Sequence, residues 1–189
     1  MKLTNQIKAY YPINDQEIND QRIMLDWLEQ NPNNALLRSN EIAHFTASAI
    51  IMNQSFTKVC MVYHNIYQTY CWVGGHHDGD EDAIAVALKE ASEETGITNF
   101  QLFEEGLSSI EILPVFAHYK KGKYISGHLH MNTSILLVAD EEELLQVKED
   151  ENSDVKWIKV EQLEQYSNEP ELIVIYKKLI QRTIERNKR

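Results

Sequence analysis

Apolar and polar positions alternate along the chain with two different periods, which predict both strands and long helices. Residues 15–30 and 170–185 repeat apolar positions at helical spacing, and Pro170 suits a first helical position because its missing N–H costs nothing there. Runs rich in β-branched and aromatic residues predict strands at 42–53, 58–63, 67–73, 109–119, 124–138 and 155–160, with a turn at 120–123. Strands mixed with a few long helices indicate an α/β or α+β fold, a mixed β-sheet sandwiched between helices.

Breaks in this pattern indicate how the chain is divided. The segment 31–40 (NPNNALLRSN) contains Pro32 and four asparagines, a composition typical of a linker. We therefore expect an N-terminal helical extension over residues 1–40, a main domain over 41–165, and a C-terminal helix over 166–189 packed on that domain.

The N-terminal extension has two alternative roles. Its aromatic residues either pack in the core or, if Trp27 and Tyr10 or Tyr11 are exposed, form an interaction arm or a dimerisation arm, the latter in a homodimer.

Charge and composition exclude several classes of function. The formal net charge of −11 disfavours binding to nucleic-acid polymers and anionic lipids, because both repel an acidic surface. No apolar run approaches the roughly 20 residues that span a bilayer, and the first 20 residues lack the apolar centre of a signal peptide. We expect a cytoplasmic protein that acts on a small molecule.

The two cysteines are predicted to be free thiols. They are too few for a disulfide framework, which agrees with a reducing compartment. A two-residue turn at Asn65 and Ile66 would place Cys60 opposite Cys71 on a hairpin. Ile resists the positive φ that such turns require, so we expect a different register or a longer loop.

The helix predicted at 80–95 carries an acidic stripe beside its apolar one. Glu90, Glu93 and Glu94 are spaced three and four residues apart, about 100° around the helix from the stripe that must face the core, which is formed by Ala83, Ile84, Ala87, Leu88 and Ala91. Both their mutual repulsion and the helix macrodipole disfavour three carboxylates near a helix C-terminus. Either this is a solvated acidic face or the carboxylates bind a hard cation such as Mg²⁺ or Mn²⁺.

The residues around this helix favour the metal site. Gly75, Glu81, Glu90, Glu93, Glu94, Gly96 and Ile97 stand in register with the pattern G-x5-E-x7-R-E-U-x-E-E-x-G-U, where U is a bulky aliphatic residue. The segment closely resembles the Nudix box, although Lys89 replaces the Arg of that pattern and Ala91 replaces a larger aliphatic residue. An ammonium keeps the charge but loses the planar fork that binds a carboxylate through two hydrogen bonds.

The resemblance implies a fold, a reaction and a set of site residues. It implies the Nudix fold over roughly residues 41–165 and the hydrolysis of a nucleoside diphosphate linked to another group, with Mg²⁺ or Mn²⁺ as cofactor. Carried over by position, Glu90, Glu93 and Glu94 are metal ligands, with Glu93 and Glu94 also catalytic. The structural positions of the box are Gly75, Glu81, Lys89 and Gly96, and Gly96 is also the expected left-handed stop of the helix.

Many Nudix enzymes add a carboxylate from a loop before a late strand that carries a Trp. Here that region is KEDENSDVKWI, ahead of Trp157. We expect Glu151 to be an extra metal ligand or the general base, with Glu149 as the second choice; the alternative is a solvated acidic loop.

Histidines are the candidate substrate contacts. His128, His130 and Asn132 share one face of a predicted strand, and His44, Thr46 and Ser48 alternate in the same way on an earlier one. His76 and His77 lie beside the box. We assign His77, His128 and His130 to substrate binding, against the alternative of a plain exposed sheet face.

Two functions therefore remain open. The first is a metal-dependent diphosphate (pyrophosphate) hydrolase, whose substrate no subtype signature of the family selects. The second is a non-catalytic Nudix-like module that binds a nucleotide or regulates a partner; the intact glutamates argue against it.

Overall fold

The computed structural model describes residues 2–120 and 122–187. Met1, Lys188 and Arg189 lie outside the described residues, as does Lys121 of the turn predicted at 120–123. The chain forms two compact units. One comprises the chain up to Ala47 together with Gly75–Val86 and Gly106–Ser134, and the other comprises Ser48–Gly74, Ala87–Glu105 and the chain from Ile135 onwards.

Most of the strands belong to one mixed sheet, as the sequence predicts. The strands of the described residues are β1 (Ala43–Asn53), β2 (Lys58–His64), β3 (Thr69–Cys71), β4 (Val73–His76), β5 (Gln101–Leu102), β6 (Ser109–Val115), β7 (His118–Lys120), β8 (Lys123–Ile125), β9 (His128–Ala139) and β10 (Asn152–Lys159). Within residues 2–120 and 122–187, eight of them form a sheet in the order β10-β2-β1-β9-β5, with β3 on β2, β4 on β1 and β6 on β9.

The prediction of two continuous strands at 109–119 and 124–138 is wrong in one respect, because each of them is interrupted. β6 ends at Val115 and β9 begins at His128, while β7 and β8 pair with each other as a separate two-stranded ribbon. Tyr119 and Tyr124 continue the alternating pattern in the sequence, but they are 72% and 56% exposed and pair across the ribbon. Their β propensity is satisfied without a place in the main sheet.

The N-terminal helices are α1 (Leu3–Ala9) and α2 (Asp15–Gln30), and α2 has the predicted limits. α2 begins there because the Asn14 side chain accepts a hydrogen bond from the backbone N–H of Glu17 at 2.8 Å, an N-cap. Its buried Glu17 accepts hydrogen bonds from the Tyr10 and Ser109 hydroxyls, so Tyr10 belongs to the core, whereas Tyr11 is exposed.

The predicted linker at 31–40 is a series of turns anchored within the first unit. The backbone N–H of Phe45 donates to the Ala35 carbonyl at 3.0 Å, and that of Gly79 donates to the Leu36 carbonyl at 3.1 Å. The Asn- and Pro-rich composition therefore indicates irregular backbone correctly, but this segment is not a free connection.

The helix of the box, α3 (Ala83–Thr95), begins three residues later than predicted. The reason is Asp82, whose carboxylate accepts hydrogen bonds from the backbone N–H groups of Ile84 and Ala85 and so caps the helix. Its buried aliphatic residues are Ala83, Val86, Ala87 and Ala91, so the expected burial of Ile84 and Leu88 is wrong; both are only half-buried.

The end of α3 confirms the predicted glycine stop. Gly96 has φ +76°, and a Cβ there would come within 2.8 Å of Gln146 Cβ. Both the conformation and the space exclude a larger side chain.

The C-terminal part of the chain forms a 3-10 turn (Val160–Gln162), α4 (Leu163–Tyr166) and α5 (Pro170–Asn187). Helix α5 is two residues longer than predicted. The buried Tyr176 of α5 packs edge-on against Trp72 at 5.2 Å between ring centroids, which ties α5 to the second unit. In the part of the chain that the structure describes, no helix combines the length and apolar composition needed to cross a membrane.

Both cysteines are free and buried, and the hairpin register explains why they do not meet. Cys71 lies opposite Val62, whereas Cys60 lies opposite Ile51 and Trp157. Burial raises the pKa of the Cys60 thiol to about 12, and that of Cys71 also rises, so both stay protonated and unreactive.

We therefore expect two thiols to react with a chromogenic disulfide after unfolding without reductant. Under native conditions both should react slowly, because neither thiolate is formed nor accessible. A count below two in the unfolded chain would contradict the free-thiol prediction.

Candidate active site

A short turn before β10 is positioned by backbone hydrogen bonds at the end of α3. The Gln146 N–H donates to the Thr95 carbonyl at 2.8 Å, and the N–H groups of Glu151 and Asn152 donate to the Lys148 carbonyl at 3.1 and 2.9 Å. The turn places the side chains of Lys148 and Glu151 beside the acidic stripe of α3.

Lys148 lies among three carboxylates. Its Nζ is 3.0 Å from Glu151, 3.4 Å from Glu93 and 3.9 Å from Glu90. Burial alone would lower the pKa of Lys148, but its hydrogen bond to Glu151 and the neighbouring negative charges raise it above its usual value. Glu90, Glu93, Glu94 and Glu151 are called the carboxylate cluster below.

Glu94 is the buried member of the carboxylate cluster, with only 4% of its surface exposed. One oxygen accepts the Gly74 N–H at 2.9 Å, and the other accepts the Asn152 side-chain amide at 2.7 Å. Burial raises the pKa of Glu94 to about 7, against the opposing effect of these two hydrogen bonds. Burial also raises the pKa of Glu90, while the charge of Lys148 opposes the rise.

The structural positions of the box have different surroundings. Lys89 reaches Glu93 at 3.9 Å, but both side chains are largely exposed, and such pairs contribute little. Glu81 is exposed and lies 3.6 Å from Lys2. Gly75 is part of β4.

Four histidines come together elsewhere in the chain. The His44 ring centroid lies 5.0 Å from that of His76, 4.9 Å from that of His128 and 5.1 Å from that of His130. The pairing of β1 with β9 also joins Thr46 to Asn132 at 3.0 Å. These four residues, His44, His76, His128 and His130, are called the histidine cluster.

The histidine cluster is not a plain exposed sheet face. His44 is 3% exposed and its Nδ1 lies 2.9 Å from the Asn40 carbonyl oxygen. Burial lowers the pKa of His130 to about 2, with the neighbouring histidines adding to the effect, and burial also lowers the pKa of His44. Both imidazoles are therefore neutral at physiological pH.

His77, one of the predicted substrate contacts, lies apart from these rings. It is 3% exposed, its Nδ1 is 2.8 Å from the Asp80 carbonyl oxygen, and its ring meets Phe45 edge-on. The neighbouring His76 joins the histidine cluster instead.

A match to a known protein family identifies the family of the chain. Residues 43–182, about three quarters of the chain, match the NUDIX domain. The chain belongs to the Nudix family.

Solved structures share the Nudix fold at low sequence identity. The Nudix hydrolase RenU of M. smegmatis is 14% identical with a TM-score of 0.56, and the alignment covers 75% of this chain and 86% of RenU. The Ap4A hydrolase of C. elegans is 19% identical (TM-score 0.53; 71% and 93% covered), and the dihydroneopterin triphosphate pyrophosphohydrolase of E. coli is 15% identical (TM-score 0.52; 72% and 94% covered). Among curated proteins, none matches the sequence significantly.

Membership of the Nudix family makes the chain a Nudix-type pyrophosphate hydrolase. Two residues that contact the carboxylate cluster were not predicted from the sequence. Lys148 is the one basic residue in the acidic run 140–155, which was an available signal. Asn152 carries no such signal, because only the folded chain places its amide on Glu94.

Proposed function

We propose that the protein hydrolyses a diphosphate linkage in a nucleoside diphosphate joined to another group, with Mg²⁺ or Mn²⁺ held by Glu90, Glu93, Glu94 and Glu151. The main support for the proposal is that carboxylate oxygens of Glu90, Glu93 and Glu151 all lie within 3.9 Å of one cationic nitrogen, Lys148 Nζ.

The donor set of the carboxylate cluster fits a hard divalent ion. Mg²⁺ and Mn²⁺ prefer carboxylate oxygens, and α3 and the turn before β10 supply four carboxylate groups here. The Lys148 ammonium already lies among three of these carboxylates. Its position supports the view that their mutual repulsion must be offset by a positive charge.

Each glutamate contributes differently to the proposed reaction. The buried Glu94 is held by Gly74 and Asn152, so it fixes the position of the site, whereas Glu93 is 44% exposed and faces solvent. When bound, the ion would neutralise the diphosphate and lower the pKa of the attacking water. Glu151 is our candidate for the general base that takes the proton of that water.

Histidines complete the proposal. His128 and His130 are half-buried and remain the proposed substrate contacts. The burial of His77 against Phe45 favours a packing role for that residue.

A panel of nucleoside diphosphate derivatives tests the proposal, with release of phosphate or monophosphate as the readout. Ap4A belongs in the panel, and dihydroneopterin triphosphate is added as a non-nucleoside compound, because hydrolases of both share the fold. We expect turnover of at least one compound with Mg²⁺ or Mn²⁺, its loss in EDTA, and its return when excess metal is added.

The test variant is Glu93→Gln, which removes one exposed carboxylate charge and keeps the shape of the side chain. It should turn over at least about a hundredfold more slowly at saturating metal. Full activity of the wild-type protein in EDTA would contradict the metal requirement. Nucleotide binding without turnover of any compound would instead favour the non-catalytic module.

A further inference from the structure

The histidine cluster has the dimensions of a metal site. One ring nitrogen from each of His44, His76 and His130 can be chosen so that all three lie within 4.8 Å of one another. Around a tetrahedral zinc ion with bonds of about 2.0–2.1 Å, such nitrogens stand about 3.3 Å apart. Rotation of the side chains that moves each nitrogen by less than about 1 Å therefore closes the site.

A second observation points to a missing ligand. His44 is only 3% exposed, and its buried Nε2 has no hydrogen-bond partner among the described residues. Nδ1 of the same ring donates to the Asn40 carbonyl at 2.9 Å, which leaves the lone pair on Nε2. A histidine that binds metal through one nitrogen usually donates its other N–H to a carbonyl or carboxylate in this way.

His128 orients His130 by the same logic. Nδ1 of His128 lies 2.8 Å from the Ser126 carbonyl oxygen and must donate to it, so in the neutral ring its Nε2 is the acceptor. The contact of 3.3 Å between the two Nε2 atoms then makes His130 the donor, and the lone pair of His130 lies on Nδ1.

The chemistry of the donors selects the ion. Imidazole nitrogens suit zinc and its first-row neighbours, whereas Mg²⁺ and Mn²⁺ prefer oxygen ligands. We propose that His44, His76 and His130 bind one zinc ion, in a site that shares no residue with the carboxylate cluster. Three protein ligands leave the fourth position of a tetrahedral zinc open to water or to a substrate oxygen.

Metal titration of the purified chain tests the zinc site without an activity assay. We expect chelator-treated wild-type protein to bind one Zn²⁺ per chain in competition with a chromophoric chelator. Co²⁺ in its place should give the visible absorption of a tetrahedral site. His44→Gln and His130→Gln should each weaken zinc binding by at least about a hundredfold, because loss of even a second-shell partner costs 10- to 100-fold.

Two controls make the test specific. His118→Gln removes a half-buried histidine outside the cluster and should bind zinc as the wild type does. Glu93→Gln should keep the zinc site and lose Mn²⁺ affinity, which separates zinc binding by the histidine cluster from metal binding by the carboxylate cluster.

Resonances of the histidine rings in the wild-type protein give an answer that does not depend on variant folding. Addition of Zn²⁺ should shift the rings of His44, His76 and His130 and leave His118 unchanged. Absence of bound zinc in the wild type, unshifted rings, or unchanged zinc affinity in folded His44→Gln and His130→Gln would overturn the proposal.

Discussion

Glu94→Gln is expected to reduce turnover by at least about a hundredfold while leaving the melting temperature in EDTA unchanged or slightly higher. Turnover falls because the substitution removes one negative charge from the proposed metal site, and a metal-activated water supplies several kcal/mol of barrier reduction. Turnover at saturating metal and thermal unfolding in EDTA measure the two effects separately.

The Glu94→Gln variant is expected to retain its stability because a glutamine can keep both hydrogen bonds of Glu94. Its amide oxygen can accept the Gly74 N–H, and its amide nitrogen can donate to Asn152 after the Asn152 amide turns over. Asn152 Oδ1 is buried and has no hydrogen-bond partner among the described residues, so this rotation loses no existing bond at that atom.

The charge of Glu94 also costs folding free energy. Folding raises its pKa from an ordinary value of about 4.5 to about 7, so stability falls as the pH rises between these two values. Glutamine has no charge to bury, so the variant escapes this cost at and above neutral pH.

A core truncation should behave in the opposite way. Ile50→Ala removes a fully buried side chain of β1 and should cost about 2–5 kcal/mol of stability while turnover per folded molecule stays close to wild type. Glu94→Gln that unfolds the protein but keeps turnover per folded molecule would show that the acidic stripe is structural.

Local features of the fold were predictable from sequence because they depend on neighbouring residues. The limits of α2 follow from the Asn14 cap and the helical period, and the stop at Gly96 follows from the need for positive φ. The limits of β6 and β9 were not predictable, since Tyr119 and Tyr124 satisfy the same alternating pattern in an exposed ribbon.

The same distinction between local features and features that depend on distant residues applies to the two candidate sites. The spacing of Glu90, Glu93 and Glu94 is sufficient to place them on one helix face, because they lie within five consecutive residues of a single helix. By contrast, the meeting of His44 with His128 and His130 depends on the pairing of strands more than 80 residues apart in the chain, which no local pattern encodes. The place of Lys148 depends likewise on the turn anchored at Thr95.

Lys148→Met is expected to make the protein less stable in EDTA and to tighten its binding of Mn²⁺ by about tenfold. In the absence of metal, Lys148 is the cation that offsets the repulsion among Glu90, Glu93 and Glu151. Removing it leaves these like charges without compensation, so the melting temperature in EDTA should fall.

The gain in metal affinity follows from competition for the same oxygens. A divalent ion bound by these carboxylates must displace the ammonium, and partly exposed ion pairs are each worth about 0.2–1 kcal/mol. Three such pairs together amount to about 0.6–3 kcal/mol, a range that includes the roughly 1.4 kcal/mol equivalent to a factor of ten in Kd. Calorimetric titration with Mn²⁺ measures the affinity, and thermal unfolding with and without Mn²⁺ measures the stability.

Lys156→Met is the matched control, because it removes the same charge from the strand that follows the turn. Lys156 pairs with Asp154 at 2.8 Å and lies over the Tyr70 ring at 4.5 Å, outside the carboxylate cluster. Its Mn²⁺ affinity should equal that of the wild type, which excludes a general effect of net charge. Unchanged or weaker Mn²⁺ binding by Lys148→Met would show that the ammonium and the metal ion do not share these oxygens, and the ion would then have to bind elsewhere on the chain.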